Sequence, residues 1–596
     1  MHKSKYERQI YIFIMALLCL ILLIQFLRYL HINLDDKFII YKYAMNFSNG
    51  KGFSFTNDIA VEGFSSFFYV LLMSVVFKIF HITEPTLDAV TLMSQLGKII
   101  TFLFSTFTIL YLGKLLKKIF RLSSLVIFIS LFLLVIRTDF VYHSTSGLET
   151  GVFIFFMAAY FYHLFNLSLI LHPDKKNNYI LLVIFGWLVL LTRVDGFIFI
   201  ILTNIIWLIV LSIKYKPGWK KISKYFFKLS IPFILCLLGY ELFRILYFHD
   251  IFPNTYYVKV PGFYQYIYPY ALWYPGHNLI QAWQRIPITA IHYILPSMGF
   301  LFVLSLLLVA LLYFSKRLKN KHRVFYHYNR FFNSQIDHKM DNKGMLIVLT
   351  LLLPLFSFYV AYTGGDWMPG YRYIMHYYSL FHTVFLAVVI HFVLLFLKYD
   401  QKLFLSFVSG ALILLTTLMT VLETNRIFHV KSKFFYEIGN NYEIPEGHSF
   451  YAFWGNKRIS DYFTLYSDFA LELKEKLNSD ESVAIYEVGC IGLLLGESHK
   501  IIDIGGLNTP AMAKGVTDEG IHSMCVAYLY MNFGKVRGPK DKYLLSESPK
   551  YIIFDTFVFM DNRNIPEAIL DGHFKYIDSF KENRYGFFSI FERSET

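Results

Sequence analysis

Two adjacent carboxylates, Asp35 and Asp36, follow directly on an apolar run from about Ile10 to Leu30. A carboxylate beside hydrocarbon is unfavourable, and is kept where it has a partner or a function. An unpaired one at that depth has a raised pKa, which suits a general base taking the proton of a hydroxyl near neutral pH. Asp35 comes first after the run and is placed to point back into a cavity. Asp36, about 100° further round or on the opposite side, is placed to cap KFIIYKYAMNF or to steady its neighbour. Simple N-capping by either carboxylate is the alternative reading of the pair.

A base of this kind needs cations near the leaving group, and Arg193, Arg244, Lys259 and Arg372 are the candidates. Arginine suits phosphate because its planar fork binds two oxygens at once. Arg193 and Arg244 also read as side chains that snorkel from helix ends. Arg372 follows Gly364, Gly365, Pro369 and Gly370, so the chain turns sharply there, and Asp366 is near enough in sequence to pair with it. Trp367, in the same turn, offers a face for a sugar ring. Most other aromatics, among 45 Tyr and 63 Phe, belong to the interfacial belt. Asp195, Asn254 and Tyr256 complete the set of candidate substrate contacts. Glu149 reads as charge compensation at a helix start, and His143 as a structural hydrogen bonder. No His/Cys/Asp cluster has metal spacing, so no metal or other cofactor is expected.

Long apolar elements must position these residues. The 596 residues are 56% hydrophobic and 16% charged, with mean hydropathy +0.46. That excludes an ordinary soluble protein. The net charge of +14 lies mostly in short loops, where Lys and Arg fix topology, and does not call for nucleic acid. Spans are expected near 10–30, 87–113, 122–137, 150–170, 178–192, 194–213, 226–247, 290–314, 345–363, 373–397 and 402–422. The run 64–80 is short for a span. Taken as interfacial, it leaves KLLKKIFR (114–121), Lys175/Lys176, 214–228, 315–344 and 398–402 on the cytoplasmic side, as the positive-inside rule requires. The N-terminus is then inside, as an uncleaved first helix, and the C-terminus outside.

Beyond Arg426 the apolar runs stop. Strand-like pieces such as ESVAIYEV (481–488) and KYIIFD (550–555) flank helix-like ones such as DYFTLYSDFALELKEKL (461–477). Residues 427–596 therefore read as a small α/β domain, with GGLNTP (505–510) a turn after a strand. Cys490 and Cys525 lie in it, and a disulfide between them would require an oxidising compartment.

Six segments in order carry a resemblance: LDDKFIIYKYAMNFSNGKGFSF…VEGFSS (34–66), STSGLETGVF (144–153), LTRVDGF (191–197), RILYFHDIFPNTYYVKV (244–260), GGDWMPGYRY (364–373) and VGCIGLLLGESHKIIDIGGLNTP (488–510). Together they resemble the bacterial GT-C glycosyltransferases, and within them the arabinofuranosyltransferases that use polyprenyl-phosphate arabinose. The resemblance implies a polytopic α-helical membrane protein of about eleven spans. Residues 1–426 would be the GT-C-like domain, with outer loops 31–86 and 248–289, and 427–596 the extracytoplasmic α/β domain. It implies a multi-pass protein of the bacterial inner membrane. Its partners would be a polyprenyl-phosphate sugar donor, a glycan or glycolipid acceptor and membrane lipids, and Asp35 would be the catalytic base. A lipid-linked glycan transporter or flippase, and a polysaccharide ligase, are the competing classes.

Overall fold

A computed structural model describes residues 2–30, 33–56, 60–167, 176–216, 218–255, 330–332, 340–363, 372–398, 459–479, 481–485, 488–496, 499–504, 508–509, 547–555, 574–577 and 588–594, with isolated positions between 301 and 308. The helices are α1 (His2–Arg28), α2 (Asp36–Ser48), α3 (Phe67–Ile79), α4 (Leu87–Lys114), α5 (Ser124–Val135) and α6 (Thr138–Thr145). They continue with α7 (Thr150–Phe165), α8 (Lys176–Thr192), α9 (Gly196–Tyr215), α10 (Trp219–Phe248), α11 (Asn342–Thr363) and α12 (Arg372–Lys398). Among the described residues, α1, α4, α9, α10, α11 and α12 are long and apolar enough to cross a membrane. The pair α5–α6, bent by 68°, counts as a seventh span if taken together. The expected span 402–422, most of 290–314 and the domain boundary near Arg426 lie outside the described residues.

Apolar runs form helices here because a bilayer offers the backbone no other partner. The exception within α10 is repaired from outside. Pro232 has no N–H, so the Lys228 carbonyl one turn back loses its intrahelical partner. The Tyr179 hydroxyl supplies one at 2.8 Å, and the Trp187 indole N–H donates to the Pro232 carbonyl at 2.9 Å.

The ambiguous run 64–80 becomes α3, 13 residues long. At about 1.5 Å per residue that is too short for a core about 30 Å thick, and α3 lies against α2. α2 carries two lysines, yet every residue from Lys37 to Asn46 is buried. A helix without a wet face needs a partner on every side, and α2 has α3, α4 and the C-terminal part of the chain. Tyr41 and Tyr69 both donate to the Gly147 carbonyl, at 2.8 and 2.7 Å. Gly147 itself has φ +74°, a conformation glycine adopts without strain.

The C-terminal elements are α13 (Ile459–Lys476), β1 (Ser482–Ile485), α14 (Gly489–Leu494), β2 (Lys500–Asp503), β3 (Tyr551–Asp555), β4 (Phe574–Ile577) and β5 (Phe588–Arg593). The sheet order is β2-β1-β3-β5-β4. β2, β1 and β3 are parallel, with Ile485 opposite both Asp503 and Ile553. β5 and β4 are antiparallel. Phe469 of α13 stacks on Phe588 with centroids 4.1 Å apart and closes the core over the sheet. The α/β character expected of this region is present, with strands where 481–488 and 550–555 suggest them. Cys490 is a buried free thiol, and Cys525 lies outside the described residues.

Candidate active site

The two adjacent carboxylates part company. Asp35 holds the N-cap position of α2 at φ −65° and ψ −44°, but its side chain makes no capping bond there. Instead its oxygens accept the N–H of Gly489 at 2.8 Å and of Cys490 at 2.7 Å. The sequence suggests an unpaired Asp35 turned into a cavity. The structure places it buried, on the backbone of α14, because the first turn of a helix offers N–H groups that need an acceptor. Asp36, the first residue of α2, leaves 26% of its side chain exposed, and its Oδ2 stands 3.9 Å from Nη1 of buried Arg372.

Arg372 opens α12, and behind it the charges interlock. Tyr373 lies under two guanidiniums, with Arg193 5.0 Å and Arg372 5.5 Å from its ring centroid. Arg193 donates to Glu149 at 2.6 Å and to Asp195 at 2.8 Å. Burial disfavours the Arg193 charge, but Asp195 and then Glu149 outweigh it and hold the pKa above its ordinary value. Asp195 also faces Nδ1 of His376 at 3.7 Å. Glu149 does precede a helix, as expected, but its carboxylate is spent on Arg193 rather than on charge compensation alone. Arg193 is a buried pair-former, not a snorkelling side chain.

Arg244 neither snorkels nor lies open to a substrate. It is 1% exposed and donates to Glu62 at 2.6 Å, to Glu241 and to the Ile251 carbonyl. Burial pushes the Glu62 pKa up, against the pull of Arg244 and Tyr240. The Glu62 carbonyl takes the N–H of Asn254 at 2.9 Å. Arg244 thus ties the first loop to α10, and Asn254 sits in that tie. Tyr256, Lys259, Asp366 and Trp367 lie outside the described residues.

Sequence reasoning missed the buried pair Arg137–Asp139, joined at 2.6 Å in the break between α5 and α6, with Tyr378 as a further acceptor from Arg137. It also missed Lys42, whose ammonium donates to the carbonyls of Gly492 at 2.5 Å and Gly496 at 3.1 Å. The signal available was a lysine between the apolar residues of IIYKYAM (39–45), which needs a polar partner wherever those neighbours are buried. Among the described residues no group of three His, Cys, Asp or Glu could hold a metal.

Residues 457–591 match a family described as a domain of unknown function, DUF8728. No curated protein matches the sequence. Solved structures do. The archaeal oligosaccharyltransferase AglB from Archaeoglobus fulgidus, in complex with an inhibitory peptide and a dolichol-phosphate, aligns with TM-score 0.50 at 14% identity, over 98% of this chain and 74% of that one. The fold is GT-C. The same enzyme in its apo form gives TM-score 0.50 at 13% identity, over 95% of this chain and 73% of that one. ArnT from Cupriavidus metallidurans, bound to undecaprenyl phosphate, spans 97% of both chains at 10% identity, with TM-score 0.40. On the two AglB alignments the GT-C fold holds for this chain, with the small sheet at its C-terminal end.

Proposed function

We propose that this protein is a membrane glycosyltransferase that moves a sugar from a polyprenyl-phosphate donor to a glycan or glycolipid acceptor. The observation that carries the reading is the facing of Asp36 and Arg372. A partly exposed carboxylate and a buried guanidinium stand 3.9 Å apart at the end of a GT-C bundle. A carboxylate that solvent reaches can take the proton of an acceptor hydroxyl. A guanidinium beside it can hold the departing phosphate, whose negative charge grows as the glycosidic bond breaks. Asp35 is buried and accepts a backbone N–H on each oxygen, whereas Asp36 keeps 26% of its side chain exposed, so the role of base is assigned to Asp36. Arg193 and Asp195 brace Arg372 through Tyr373 and are not themselves assigned a contact with donor.

The fold supports a lipid-linked donor, since a GT-C protein of known structure holds dolichol-phosphate. Arabinofuranose as the sugar and a cell-envelope glycan as the acceptor rest on the motif resemblance. Transfer on the outer face of a bacterial inner membrane rests on that resemblance and on the loop charges. Purified protein with synthetic polyprenyl-phosphate arabinose and a short glycan acceptor tests the reading. A new glycosidic bond, lost in Asp36→Asn, supports it. Movement of intact lipid-linked glycan without bond formation would identify a transporter, and transfer of a whole glycan from a diphosphate carrier a ligase.

A further inference from the structure

In this chain β1 runs into α14, and β2 returns parallel to β1. α2 lies along α14. Asp35 sits on the amides that begin α14, and Lys42, two turns further along α2, sits on the Gly492 and Gly496 carbonyls that end it. Each charge meets the end of the helix whose partial charge it complements. Beyond β2, Asp503 accepts the backbone and side-chain N–H groups of Asn508, both at 2.8 Å. Asn508 so held accepts the Tyr43 hydroxyl at 3.0 Å. Phe463 of α13 stacks on Phe38 with centroids 5.5 Å apart. The fit is close: a Cβ on Gly489 would fall 2.3 Å from the Asp35 carbonyl oxygen.

We infer that the C-terminal α/β unit is an intramolecular receptor for α2, and that seating α2 along α14 fixes the position of Asp36 opposite Arg372. Asp35, Lys42 and Tyr43 are positioning residues of that seat. The catalytic consequence rests on Asp36 being the base; the seating does not.

The test uses the full chain in detergent, with Lys42→Met, Gly489→Ala and Asp36→Asn. Hydrogen exchange at 36–48 is read beside transfer kinetics with polyprenyl-phosphate arabinose and a short acceptor. Lys42→Met keeps the stem length and adds no bulk, so it decides the matter if Gly489→Ala fails to fold. The expected result is faster exchange across α2 and kcat lower by about 10- to 100-fold, the order that a displacement of about 1 Å produces, with donor KM unchanged. Rescue toward the wild-type rate in Lys42→Arg, which keeps a donor to both carbonyls, separates positioning from general damage. Wild-type exchange in Lys42→Met, or fast exchange with a wild-type kcat, overturns the inference. Normal turnover in Asp36→Asn would instead sink the base assignment, while the exchange rates still decide the seating.

Discussion

Oδ1 of Asp35 accepts the backbone N–H of Cys490 at 2.7 Å, across 455 positions of chain. Asp36, the next residue, faces Arg372 on α12. One peptide bond therefore separates a buried carboxylate that holds the C-terminal unit from one that keeps 26% of its side chain exposed. Consecutive helical side chains diverge by about 100°, so the two roles do not compete.

The first prediction separates the pair. Asp36→Asn, nearly isosteric but unable to take a proton, should lower kcat by about 10²- to 10⁴-fold, the usual range for a general base, with expression and donor binding intact. Asp35→Asn should retain measurable turnover and lose thermal stability. Its amide sets one donor against the two backbone N–H groups that the carboxylate satisfies. Transfer rates and melting in detergent decide. The reverse ranking would return the base to Asp35.

Arg372→Ala should weaken use of the donor strongly while the protein still inserts, and Arg372→Lys should restore only part of it, because an ammonium lacks the fork. Donor KM and kcat measured for both variants check this. A variant that only melts earlier and turns over normally would make Arg372 a structural partner of Asp36.

Glu62 and Arg244 should matter to stability and not to donor recognition. Removing one partner of a buried pair costs about 3–5 kcal/mol, so Arg244→Met, which leaves Glu62 buried without its guanidinium, should lower the melting temperature, and Glu62→Gln, a neutral mimic of the protonated form, should lower it less. Since burial raises the Glu62 pKa above its ordinary 4.5, the folded form binds that proton more tightly than the unfolded chain does. Its contribution is greatest below pH 4.5 and declines as pH rises through the folded value. Glu62→Gln should flatten that slope in melting curves taken across pH. A donor KM defect in Arg244→Met at unchanged stability would contradict this assignment.

The orientation follows from loop charge. Phosphatase fused after Thr596 should be active and a fluorescent protein there dark, with the opposite outcome for fusions within 315–344, which holds eight Lys or Arg against two Asp. Fluorescence at the C-terminus would invert the topology.

The sequence alone determined what depends on local chemistry. Apolar runs of span length have to be helices in a bilayer, and 64–80 is too short to be one of them. Alternating apolar pieces such as ESVAIYEV pack as strands. The polar motifs between spans mark the end of the bundle where charge collects, and Arg193, Asp195, Arg372 and the aspartate pair could be picked out by type. Only the tertiary structure decided the distant partners, because Asp35, Lys42 and Arg244 meet groups 455, 450 and 182 positions away and no local pattern encodes such a meeting. Asp35 reads as unpaired until Gly489 and Cys490 arrive from the far end of the chain. Lys42 passes unnoticed in the sequence until the Gly492 carbonyl meets it. Arg244 reads as a phosphate ligand or a snorkelling side chain until Glu62 meets it. Burial sets the energetic weight of each of these groups, and burial belongs to the packed fold rather than to any stretch of sequence.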